Sequence, residues 1–400
     1  MDLIYLDHNS TTPVLDEVAA AMAEWQTLRF GNPSSQHLAG RRARQALDNA
    51  REGIGRILGA DLANREPDRV IFTSGGTEAN NLALFGLAVL HDPHSRPGEA
   101  IVSLIEHPSI AAPVEFLKRR GWRIHTLGVS PNGVVDIGPL DELLSERTRF
   151  VSVMLANNET GVLQPVREIA RRCASLGVPM HTDAAQIVGK LPVDFRSLGV
   201  SLMTVAPHKF HGPIGIGALL VRHDVSLEPM LFGGFQQAGL RPGTEAVALA
   251  VGLHAALVAW QREGAVRSER LRRLRDRLEA GSAAGYAGEV VVNGSLAERL
   301  PNTSNLAFGG LERQALLMAL DLEGVACSTG SACASGSSEP SPVLAAMGCS
   351  KSVLAGSLRF SLGATTTDDE IGQAIECILR VCARIAESVP AARIRPARSR

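Results

Sequence analysis

The sequence predicts an α/β protein: a mostly parallel sheet covered by helices, followed by a smaller unit of mixed α+β order. Three observations carry that expectation. From residue 69, short β-branched runs (Val70 to Thr73, Ala100 to Leu104, Phe150 to Leu155, Val178 to Thr182, Leu202 to Val205) alternate with polar loops and stretches of helical periodicity. The runs are nearly continuous in apolar character, as strands of right-handed βαβ units covered on both faces must be. Charge content then rises within a long helical stretch from Glu245 to about Leu278, and the elements beyond it come in mixed order.

In chain order, residues 3 to 6 are a short apolar segment, and Asp7-His-Asn-Ser-Thr-Thr-Pro13 is a polar turn leading into a helix from about Leu15 to Leu28. Phe30-Gly-Asn-Pro-Ser-Ser35 breaks the chain, and Ser34 or Ser35 is expected to cap a helix running to Leu58. After the five runs, residues 218 to 222 extend a last strand and residues 233 to 244 form a loop. The second unit is expected to hold strands at Val290 to Val292, Asn305 to Phe308 and Ser357 to Ser361, with helices from Glu312 to Leu320 and Thr367 to Glu387. The tail from Pro390, with four arginines and two prolines, reads as disordered.

A chain of 400 residues has ample length for two or three domains. Forty basic against forty-one acidic side chains give a net charge of -1, so electrostatics offer no case for nucleic acid or an anionic membrane, and the substrate is expected to be small. No apolar run reaches the length of a membrane span and the first residues lack the basic start of a signal peptide, which reads as cytoplasmic. Six scattered cysteines build no disulfide framework, and no Cys-x-x-Cys pair suggests zinc.

In a parallel sheet, ligands bind beyond the carboxyl ends of the strands, so the loops that follow the runs are where chemistry is expected. Lys209 ends an apolar run and precedes a forced turn. A lysine held dry there has a lowered pKa and can hold an aldehyde as a Schiff base, although a lone lysine is more often solvated. Ser74-Gly-Gly-Thr-Glu-Ala-Asn80 joins a strand to a helix with small residues, so main-chain N–H groups near Gly76 can receive a phosphate while Thr77 adds a hydroxyl; it lacks the ending of a nucleotide P-loop. Asp183 could pair with a protonated pyridine nitrogen, or only cap the next helix. His107 has a face that can stack on a ring, and Asn158 could reach a phenolic oxygen, while each also has an ordinary structural reading. Taken together, a phosphate cradle, a stacking ring, a pyridine partner and a lysine specify pyridoxal phosphate.

Two further residues stand apart from those loops. Cys333 lies in a segment from Cys327 to Pro340 made almost entirely of small residues, which reads as a mobile arm carrying a thiol. Arg359 lies in the alternating strand Ser357 to Ser361, and its fork suits a substrate carboxylate as well as a surface ion pair.

With those residues in view, the chain resembles the cysteine desulfurases, the NifS/IscS-like group of fold-type I, class V aminotransferase-like enzymes. The matching pieces run in order from Tyr5-Leu-Asp through Gly31-Asn-Pro-Ser34, Thr73-Ser-Gly-Gly-Thr-Glu78, Glu106-His107, Asn157-Asn-Glu159, His181-Thr-Asp-Ala184, Gln186, His208-Lys209, Arg241-Pro-Gly-Thr244 and Ser331-Ala-Cys333 to Arg359-Phe-Ser361. The resemblance implies a large cofactor-binding domain over residues 15–260, with a mostly parallel seven-stranded sheet. It also implies a small domain from residues 1–14 and 261–389 carrying the mobile cysteine loop.

The resemblance further implies that Lys209 holds pyridoxal phosphate, Asp183 pairs with its ring nitrogen and His107 stacks on the ring. Asn158 and Gln186 would contact the phenolic oxygen, and Gly76, Thr77 and His208 the phosphate. Thr244 would reach the phosphate of a neighbouring subunit in a homodimer. Arg359 would clamp the carboxylate of L-cysteine, and Cys333 as thiolate would take the substrate sulfur as a persulfide for an acceptor or scaffold protein, leaving alanine. No metal is implied. Alternatives within the same class are a selenocysteine or C–S lyase and an aminotransferase; outside it stands a non-catalytic sulfur-carrier scaffold. The chain departs from the family pattern at Ala206, where serine is common, at Phe235, where glycine is usual, and at Gln237, where glutamate is common.

Overall fold

A computed structural model describes residues 3–89, 97–330 and 339–388. Its strands are β1 (Ile4–Tyr5), β2 (Arg69–Thr73), β3 (Glu99–Ser103), β4 (Arg123–Leu127), β5 (Thr148–Ser152), β6 (Met180–Asp183), β7 (Leu202–Val205), β8 (Gly217–Val221), β9 (Val290–Val292), β10 (Thr303–Phe308), β11 (Val325–Ala326) and β12 (Ser357–Ser361). Seven of them form one sheet in the order β2-β8-β7-β6-β5-β3-β4. The pairs β7/β6, β6/β5, β5/β3 and β3/β4 are parallel, while β8 runs antiparallel to both β7 and β2. The reversal has a local cause. The connection from Val205 to Gly217 holds only the three-residue turn Pro207–Lys209, too little for a crossover helix.

Side chains alternate across this sheet with period two. Val70, Phe72, Ile101, Val151, Met203 and Leu220 face one core, where they meet Leu47, Ile54, Ile169 and Leu253 from helices. Ile71, Ala100, Val102, Phe150, Leu202 and Leu219 face the other, against Leu84, Leu87 and Ile110. Both faces are covered, which explains the unbroken apolar runs. β4 escaped the sequence reading because it is an edge strand reading Arg-Ile-His-Thr-Leu, of which only Leu127 is fully buried.

β12, β10 and β9 form an antiparallel sheet, and β1 pairs with β11 in parallel. Their core gathers Ile4 and Leu6 with Leu306, Phe308, Phe360, Ile378 and Val381. One helix, Val247–Gly285, serves both bodies of side chains: Leu253 and Leu257 pack in the first core, Leu271, Leu274 and Leu278 in the second.

Two local expectations are corrected. The first helix is α-helical only over Asp16–Ala23 and continues as a π-turn over Glu24–Leu28. The next, Leu38–Ile57, is capped by His37, whose ring nitrogen accepts from Gly40 N at 3.2 Å, and not by Ser34 or Ser35. Asn32 is the reason: its side chain and its carbonyl engage the N–H groups of Ser34 and Ser35, which keeps those residues in a turn.

Candidate active site

β2, β3, β5, β6 and β7 point the same way, so the loops that follow them meet at one edge of the sheet. There they enclose a cavity of about 290 Å³ lined by Gly76, Thr77, His107, Asn158, Asp183, Gln186, His208 and Lys209, together with Ser10, Asn80 and Ala206. Thr244 is exposed and Arg359 buried, and neither lines this cavity. Cys333 lies outside the described residues.

The glycine-led helix Gly76–Val89 starts at the cavity wall. A side chain at Gly217 would stand 2.5 Å from the carbonyl carbon of Gly75, so β8 passes the loop at a distance only glycine permits. Ala206 is buried, and its methyl would lie 3.2 Å from a Cβ at Gly76, so the position that lacks the family hydroxyl is filled by packing.

The polar turn after β1 closes the site from the far side. Lys209 Nζ donates to the carbonyls of Asn9 and Ser10, each at 2.7 Å. Gln186 Nε2 donates to the same Asn9 carbonyl at 3.1 Å. Burial, then the positive charges of Lys209 and Lys190, pull the pKa of His208 down to about 4, so its ring is neutral beside the cation.

Asp183 ends β6 nearly buried. Its Oδ2 accepts from Asn80 Nδ2 at 2.8 Å and its Oδ1 from Ala185 N at 2.9 Å. Residues 185–190 form a run of turns and not a helix, so the contact with Ala185 closes a local turn instead of capping a helix, and Asp183 lines the cavity beside Asn80. Asn80 also donates to Ser109 Oγ at 2.8 Å, and that hydroxyl lies 2.7 Å from His107 Nδ1. Ser109 N donates to the same nitrogen at 3.1 Å, making His107 the N-cap of the helix Pro108–Arg119. Two donors on Nδ1 hold the ring in place.

Glu106 is fully enclosed: Oε1 accepts from Ser103 Oγ and Met154 N, while Oε2 has no partner among the described residues. Burial raises its pKa to about 8, against those two hydrogen bonds and with a further push from Asp183, so at neutral pH it is an uncharged acid.

Arg359 is 2% exposed and its fork is already engaged, with Nη2 on Asp7 Oδ1 and Ser10 Oγ at 2.7 Å each and Nη1 on the Asn158 carbonyl at 3.0 Å. A second cavity, of about 420 Å³, shares His107 and Asn158 with the first, and its wall includes Gly330 and Glu339. Those two residues flank the segment that contains Cys333 in sequence. Cys327 is not comparable to a reactive thiol, because burial pushes its pKa up. Among the described residues no cluster of His, Cys, Asp or Glu is arranged for a metal.

Sequence reasoning passed over Asn9, Asn80, Glu106 and Lys190. Asn80 carried a usable signal: it falls one helical turn after Gly76, on the side of the helix that faces the site. Glu106 and Lys190 each have one near partner, Ser103 and Gln186, but their burial depends on remote ones, Met154 and Asn9, and Asn9 itself meets only remote side chains.

The donor set fits a planar cofactor bearing a phosphate, an aldehyde and a basic ring nitrogen. Main-chain N–H groups at a helix start, an amine and a carboxylate stand on separate walls of one cavity.

Residues 4–373 match the family model described as aminotransferase class-V. The chain is 39% identical over 382 residues to the protein named cysteine desulfurase IscS of Dictyoglomus turgidum, covering 96% of this chain and 95% of that one. It is 38% identical over 387 residues to cysteine desulfurase NifS of Azotobacter vinelandii, covering 97% and 94%. Among solved structures, a NifS-like protein superposes with a TM-score of 0.87 at 30% identity, covering 96% of this chain and all of that one. A structure described as SspA in complex with cysteine does so with 0.78 at 31% identity, covering 91% and 99%.

Proposed function

The chain belongs to the class-V aminotransferase family, whose members depend on pyridoxal phosphate, and from that premise we propose that it is a cysteine desulfurase converting L-cysteine to L-alanine. The observation that carries this reading is the single cavity shared by Lys209, Asp183 and the glycine-led helix start, with His107 on its wall. The fit to the cofactor rests on the same donors: Lys209 carries it, Asp183 meets its ring nitrogen, His107 stacks on it, Asn158 and Gln186 serve its ring oxygen, and Gly76, Thr77 and His208 its phosphate.

Bound there, the cofactor supplies an electron sink for a carbanion on the substrate. The protein's residues do the rest. Arg359 receives the substrate carboxylate, which requires its fork to be shared with or released from Asp7. Lys209 moves the α-proton. Cys333, as thiolate, attacks the substrate sulfur: an S–S bond forms, the C–S bond breaks, and its electron pair stays on the substrate carbon, which takes a proton to become the methyl of alanine. The sulfur stays on Cys333 as a persulfide, and an acceptor or scaffold protein collects it. A reducing, cytoplasmic setting suits that thiol, and the described cysteines are all unpaired. Among the described residues no helix is long and apolar enough to cross a membrane.

The same reading makes the protein a homodimer, with Thr244 serving the neighbouring site. Phe232 and Phe235, 88% and 95% exposed in the single chain and close to Thr244 in sequence, support it. The division into residues 15–260, and 1–14 with 261–389, is part of the same reading; the second core, which joins Ile4 and Leu6 to residues 271–382, supports it, while Leu300, Val343, Leu344 and Met347 pack in the first core. The test is product analysis. The holoenzyme given L-cysteine and a thiol reductant should release alanine and sulfide in equal amounts; a keto acid in place of alanine would mark an aminotransferase instead.

A further inference from the structure

Lys190 is 5% exposed, and nothing in the proposed reaction uses it. Its Nζ meets two atoms, Asn9 Oδ1 at 2.9 Å and Gln186 Oε1 at 2.8 Å. The chemistry of both atoms is fixed by their neighbours. The amide nitrogen of Gln186 faces the main-chain carbonyl of Asn9 at 3.1 Å, and that of Asn9 faces the carbonyl of Asn158 at 3.3 Å. A carbonyl only accepts, so the other end of each amide is an oxygen, and Lys190 must donate to both.

Two hydrogens of the Lys190 amine find acceptors there. Burial, followed by the charges of Lys209 and Arg359, holds the pKa of Lys190 well below the usual lysine range. The other titratable groups coupled to it, His8, His208 and His211, are neutral, each depressed first by its own burial.

We propose that Lys190 is a positioning residue for the cofactor: it holds Gln186 Oε1 away from the cavity, so that this amide presents only N–H to the cofactor's ring oxygen. One hydrogen of Gln186 Nε2 goes to the Asn9 carbonyl, which also receives Lys209, and the second is left for the cavity that Gln186 lines. A flipped amide would aim a lone pair at an anionic oxygen; the observed orientation donates to it and favours the anion. The inference rests on reading Gln186 as the ring-oxygen partner.

The test is a pH titration of the holoenzyme's visible absorbance for the wild type, Q186A, K190M and the double variant. Loss of the donor should move the midpoint of the band upward by about one pH unit in each single variant. The double variant should move no further than either alone, because the two side chains act as one unit. Shifts that add would overturn the proposal, since Lys190 would then act through its own charge. So would a shift in Q186A with none in K190M. An unmoved midpoint in Q186A would overturn the ring-oxygen reading of Gln186 first, and the present inference with it. Should K190M fail to fold, K190Q, whose amide can still donate, replaces it in the same cycle and should show a smaller shift, again not additive with Q186A.

Discussion

His107 and Glu106 are neighbours in sequence that are held in different ways. His107 is pinned through Nδ1 by Ser109 and borders both cavities, so its free motion is small and its ring face is available to a cofactor. Replacing it by alanine should lower kcat by about tenfold, as expected for loss of a stacking contact worth about 0.5–1.5 kcal/mol, with the protein still folded; steady-state kinetics on L-cysteine measures this. Glu106 is an acid whose folded pKa, about 8, lies above its ordinary value of 4.5. Between those values the folded chain keeps a proton that the unfolded chain has lost. Its contribution to stability therefore falls as pH rises from about 4.5 to about 8 and is flat beyond. E106Q should remove that decline, so denaturant unfolding at pH 5 and pH 8 should show the variant gaining on the wild type at the higher pH. Equal slopes would show that Glu106 is charged in the folded protein.

At the scale of elements, the five strands whose ends build the site were legible because each is buried on both faces and reads as an apolar run, and Lys209 and Asp183 because they end two of them. β4 was not legible, since an edge strand carries polar residues, and neither was the cap of Leu38–Ile57, because Asn32 had already claimed the serines. Asn9 could not be read at all, since its side chain meets Thr303, 294 positions away, and Lys190 only in part: Gln186 is four positions before it, but Asn9 is 181 positions away and no local pattern records that contact.

The departure at Gln237 has a structural role of its own. With φ at 51°, it turns its amide onto the exposed side of edge strand β2, donating to the Phe72 carbonyl at 2.8 Å and accepting from Phe72 N at 2.6 Å, in place of a missing neighbour strand. Q237A should cost about 1–2 kcal/mol in chemical denaturation, the worth of two partly buried hydrogen bonds.

For the whole molecule, the helix Val247–Gly285 makes one folding unit of two cores. Leu274, fully buried in the second core, should cost about 2–5 kcal/mol on truncation to alanine, measurable as a lowered denaturation midpoint. The exposed Phe235 belongs to the proposed dimer face, and F235D should convert a dimer to a monomer in sedimentation equilibrium with loss of activity. The central claim, that sulfur leaves L-cysteine by attack from Cys333, is tested most directly by C333S. The account predicts a variant that keeps the visible absorbance of its bound cofactor and releases no alanine over multiple turnovers; alanine released at the wild-type rate would contradict it.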